Sequence, residues 1–115
     1  MAEHRGTDSM FDRLIALNRE AFEAGHYTTA SHILAAALHE AHEHHAARLL
    51  FRVQHVAETQ LAWIDSFAPA HEHSTPSAEA RGQTSIFAML ASQAHATFLL
   101  IQQERTRVVP LPPAP

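Results

Sequence analysis

Residues 26 to 68 contain no glycine or proline, and their apolar side chains recur at every third or fourth position. That spacing lays one apolar stripe along an α-helix and leaves strands without an alternating pattern to follow. Composition points the same way. Alanine, the strongest helix former, occurs 22 times among 115 residues, and the β-branched residues are sparse. The reading is an all-α fold in a single domain over residues 1–108.

A single unbroken helix from 28 to 67 would be about 60 Å long, too long for so small a domain. A break is therefore placed near Glu43-His44-His45, although no breaker residue marks it. The predicted helices span about 9–24, 28–43, 45–67 and 84–107. Ser9 and Asp12 resemble a capping box at the first start, and Gly25 suits the residue just past its end. Thr28 or Thr29 is the expected cap of the second helix. Residues 68 to 83 read as a loop, in which Thr75-Pro76 fits the start of a short helical turn. Residues 109–115 form a proline-rich tail expected to be extended. The architecture is a small four-helix bundle or helical array.

What the chain lacks excludes several chemistries. It has no lysine and no cysteine. A P-loop lysine, a Schiff-base enzyme, disulfides, thiolate zinc sites and cysteine nucleophiles all drop out. Three scattered glycines make no phosphate cradle. A net charge of -4 makes nucleic acid a poor partner. No apolar run of membrane length and no secretory segment are visible, so no membrane partner is expected and a cytoplasmic location is the default. No nucleophile elbow or other local catalytic motif is present, so the chain is read as non-enzymatic; a small enzyme whose site is not local in sequence remains a further reading.

At residues 11 to 42, Leu14, Leu17, Ala21, Gly25, Tyr27, Ala30, Leu34, Ala37 and Leu38 have a familiar spacing. They resemble one tetratricopeptide repeat, a helix–turn–helix unit of about 34 residues. The sequence departs from that pattern at Leu14, Asn18 and His42. The resemblance implies a protein or peptide partner on the inner face of the first helix, at Asp12, Ile15, Arg19, Phe22 and Glu23. Ile15 and Phe22 also fit a purely structural role in the core.

The second candidate is chemical. Residues 39 to 45 read His-Glu-Ala-His-Glu-His-His. Neither the zinc-protease nor the di-iron spacing is met. His39, His42, Glu43 and His45, with His32 nearby, nevertheless offer ligands suited to zinc or nickel. On a helical wheel His32, His39 and Glu43 lie opposite the apolar stripe, which places them in solvent. Otherwise no cofactor is expected. Eleven protonated histidines and eight arginines against twelve acids would carry the net charge from -4 to +7, so acidity is a variable for this chain. His71 and His73 lie in the loop and read as exposed polar residues. Trp63, at helical spacing, reads as core or interface.

Apolar residues surround most of the last helix. A helix apolar on most sides is central in a bundle or shared between chains. A homodimer through that helix and the Leu49–Phe67 helix is therefore expected. Two functional readings stand. One is a helical interaction or scaffold domain. The other is a metal-binding or pH-responsive bundle using residues 39–45.

Overall fold

The computed structural model describes residues 6–107, with side chains from Ser9 onward. The predicted tail and the N-terminal residues lie outside that range. The described chain is an all-α bundle: α1 (Gly6–Glu23), α2 (Tyr27–Glu43), α3 (Ala47–Phe67), α4 (Thr75–Ala80) and α5 (Ile86–Arg107). No described helix is long and apolar enough to cross a membrane.

Three helix ends close in one way. After α1, the Gly25 amide donates to the Phe22 carbonyl and the His26 amide to the Ala21 carbonyl, both at 2.9 Å. This pair of hydrogen bonds needs a left-handed residue, which Gly25 supplies at φ +84°. Gly82 does the same after α4 at φ +69°. After α2, the His45 amide reaches the His42 carbonyl at 3.0 Å and the Ala46 amide the Ala41 carbonyl at 2.9 Å. There the left-handed residue is His45, at φ +53°. The break without a breaker is thus a glycine-type turn built on histidine, and α3 starts at Ala47.

Several local expectations are corrected. Ser9 lies inside α1 and is not its cap. No side-chain oxygen caps α2; His26 holds the cap position, and the Thr28 hydroxyl bonds elsewhere. The cap of α4 is Ser74, whose Oγ accepts from the Ser77 amide at 3.1 Å. Thr75 is one residue further in, held by Asp65 on α3. The Asp65 carboxylate accepts the Thr75 amide at 2.7 Å and its hydroxyl at 2.6 Å. The long connection between α3 and α5 is thereby tied to α3.

The helices form two hairpins. α1 packs on α2, and α3 packs on α5. α3 runs parallel to α1: Asp12 faces Arg52, Asn18 faces Gln60 and Phe22 faces Trp63. α5 returns antiparallel to α3, with Phe98 on Phe51 and His95 on Gln54. The core joins both hairpins through Phe11, Ile15, Leu34, Leu38, Leu49, Leu50, Val53, Ile64, Phe87 and Ile101.

Leu17 is apolar yet 48% exposed, while polar Asn18 is completely buried. Asn18 Nδ2 donates to the Ala30 carbonyl at 2.9 Å and to Gln60 Oε1 at 3.2 Å. Gln60 Nε2 returns a bond to Asn18 Oδ1 at 2.7 Å. A buried amide is costly unless paired. This pair satisfies itself and fixes how α1, α2 and α3 meet.

Candidate functional site: the groove between α1 and α3

Parallel α1 and α3 diverge at the surface and leave a groove of about 260 Å³. Arg19, Phe22 and Glu23 line it from α1. His55, Val56, Thr59, Gln60 and Trp63 line it from α3. The helical spacing explains the lining. Positions 19, 22 and 23 are three and four apart, as are 56, 59, 60 and 63, so each set shares one face.

The groove has an apolar end and a polar end. Phe22 sits at the centre of an aromatic cluster, with its ring 4.8 Å from Tyr27, 5.7 Å from Trp63 and 6.2 Å from Phe87. Trp63 lies 5.1 Å from Phe67. These rings are held edge-on or tilted, the arrangements that aromatic quadrupoles favour. Trp63 is nonetheless 42% exposed and Phe67 71% exposed, so the cluster opens to solvent. At the other end, Arg19, Glu23 and His55 make no side-chain hydrogen bond or ion pair with another described residue.

Of the five inner-face residues expected to meet a partner, the structure brings Arg19, Phe22 and Glu23 into this groove. Ile15 is corrected: it is 2% exposed and belongs to the core. Asp12 is outside the groove, paired with Arg52 at 3.1 Å. The α3 half of the groove was not anticipated. Its signal in the sequence is only Trp63, read as core or interface.

The histidines divide into two groups. At the end of α2, His39, His42, Glu43 and His45 border a shallow open hollow. The donor atoms that come closest there belong to a different set, Glu40, Glu43 and His44, all within 4.8 Å of one another. Only Glu43 is shared with the expected ligands. His32 is exposed, and its charge acts on His73.

The loop histidines are not the exposed residues expected. His73 keeps only 17% of its side chain accessible. Its Nε2 lies 2.9 Å from the Thr28 hydroxyl, and its ring lies 6.2 Å from Phe87. His71 stacks edge-on against Tyr27 at 4.8 Å, and its Nδ1 accepts the His73 amide at 3.1 Å. Burial pushes the His73 imidazole below its ordinary range. Glu72 opposes that shift, while His71, Arg81 and His32 add to it. The strap from 68 to 74 is thereby fastened over the α1–α2 turn, behind the aromatic end of the groove.

Compared with family models, curated proteins and solved structures, the chain matches none of them.

Proposed function

We propose that this chain is a non-enzymatic helical interaction domain whose partner docks in the α1–α3 groove. The observation that carries this reading is the groove's construction. An aromatic wall of half-buried Phe22 and exposed Trp63 stands beside charged groups with no partner among the described residues. Such a surface suits a peptide segment that inserts an apolar side chain and pairs its polar groups with Arg19 and Glu23. The parallel disposition of α1 and α3 supports it. They are the first helices of two successive hairpins, the relation in which stacked helical repeats build a shared concave face. The resemblance of residues 11–42 to a tetratricopeptide repeat agrees in direction and in the three groove residues it names.

Trp63 is the chain's one tryptophan, so its fluorescence reports directly on the groove. A displayed peptide library is selected on the wild-type chain and counter-selected on an Arg19→Ala/Phe22→Ala variant. Selected peptides should shift Trp63 emission on titration, and Arg19→Ala should weaken them at least tenfold. Peptides that bind both chains equally, or leave Trp63 unmoved, would place the partner elsewhere.

Self-association is a second part of the proposal. Met89, Leu99 and Leu100 on α5, and Phe51 on α3, are all about half exposed. No charged residue interrupts α5 before Glu104 apart from titratable His95. We place a second copy of the chain there, away from the groove.

A further inference from the structure

We propose that Glu40, Glu43 and His44, at the end of α2, bind one divalent cation of the zinc–cobalt–nickel class. The three residues stand at relative positions 0, 3 and 4, so a single helical turn puts them on one face. Their placement is set by backbone rather than by a loose loop. The turn that follows is closed by the His45 and Ala46 amides, and the His44 amide itself donates to the Glu40 carbonyl.

The distances suit a metal. His44 Nε2 and Glu40 Oε2 are 3.3 Å apart. Two donors each about 2.0–2.1 Å from a tetrahedral zinc stand about 3.3–3.4 Å from each other. Glu43 places a third donor within 4.8 Å of both, a gap that a small side-chain rotation closes. Glu40 is the anchor, with its side chain only 19% exposed, and His44 is 46% exposed. Solvent reaches the cluster to fill the remaining coordination positions.

The donor chemistry selects the class. An imidazole with two carboxylates suits zinc, cobalt or nickel, whereas calcium and magnesium call for oxygen donors throughout. Two carboxylates also neutralise a divalent charge. A helix C-terminus carries the negative end of the backbone dipole, which favours a cation. His39, His42 and His45 border the neighbouring hollow and are not part of the set. This inference is independent of the groove.

The test uses the full chain, stripped of metal and carrying no histidine tag. Cobalt(II) is titrated while its visible absorption is followed, and zinc, calcium or magnesium is then added in competition. One equivalent should saturate the signal. Zinc should displace cobalt, and calcium and magnesium should not. Glu40→Gln and His44→Gln should each weaken binding at least tenfold with unchanged helical circular dichroism. A His39→Ala/His42→Ala variant should stay within threefold of wild type, as should His45→Gly, which relieves the turn and so folds at least as well. The proposal is overturned by wild-type affinity in Glu40→Gln and His44→Gln, or by an equal loss in the His39/His42 variant. Uptake of several equivalents without saturation would also overturn it, leaving only surface histidines.

Discussion

Breaking the Asn18–Gln60 pair tests whether one buried amide couple holds the two hairpins in register. Asn18 is fully buried and Gln60 is 6% exposed. Replacing Asn18 by leucine keeps the branched shape and the number of heavy atoms and removes both bonds to Gln60 and the bond to the Ala30 carbonyl. The unpaired Gln60 amide then costs about 1–3 kcal/mol. Gln60 also borders the groove, where its amide can turn toward water, so about 2 kcal/mol is the working value, within that same range. At roughly 4–8 °C per kcal/mol for a domain near this size, the melting temperature should fall on the order of 10 °C.

Gln60→Met should cost a similar amount by stranding Asn18. The double variant replaces both polar partners by apolar groups of similar shape, a change that is nearly neutral when both leave together. Urea unfolding of the four proteins, followed by helical circular dichroism, gives the coupling energy. It should be at least about 1 kcal/mol, because the two residues are in direct contact. Additive losses, or an Asn18→Leu cost below about 0.5 kcal/mol, would refute the reasoning and leave the apolar core alone in setting the register.

Four further outcomes follow from the geometry. His45→Gly should raise stability by about 1 kcal/mol, since a left-handed residue with a Cβ carries roughly that strain, as a urea melt will show. Asp65→Ala should cost about 2 kcal/mol by removing a charged acceptor from Thr75, and limited proteolysis should find residues 68–83 newly sensitive. His73 has a folded-state pKa below its unfolded value of about 6.5, so between the two the unfolded chain binds more protons. Its contribution is therefore complete above pH about 6.5 and is lost as the pH falls below that toward the folded value; His73→Gln should flatten this part of a melting-temperature profile. Light scattering at micromolar concentration should give twice the chain mass, and Leu99→Glu/Leu100→Glu should halve it.

The helical class was legible because alanine content and three-four periodicity act locally, and α2 shows it plainly. Ala30, Leu34, Ala37, Leu38 and Ala41 are buried, and His32, His39 and Glu43 are exposed, as the wheel requires. The break near residue 44 was inferred from length alone. Its residue-level signal was hidden, because His45 takes a conformation that composition assigns to glycine. What escaped the sequence depends on contacts between distant segments. Leu17 and Asn18 exchange places relative to their polarity because Gln60, 42 positions away, completes the amide pair. His73 looks like a solvated loop residue until Thr28 and Phe87 are brought against it. The α3 wall of the groove exists only because α1 and α3 run parallel, a relation no local pattern encodes.

The two proposed sites lie at opposite ends of α2. The groove's aromatic cluster includes Tyr27, at the start of that helix, and the metal cluster closes it at Glu43 and His44. Sixteen residues of helix separate Tyr27 from Glu43, about 24 Å at 1.5 Å per residue. Sites more than about 10 Å apart without shared partners respond to changes independently. The metal cluster and the groove share no side chain. Zinc should therefore leave Trp63 emission unchanged in the wild-type chain, and groove substitutions should leave cobalt affinity unchanged. If zinc instead shifts Trp63 emission, and Glu40→Gln abolishes the shift, then α2 moves as a rigid lever between the two ends. Metal and partner would in that case alter each other's affinity by the same factor, since coupling between two binding sites is reciprocal.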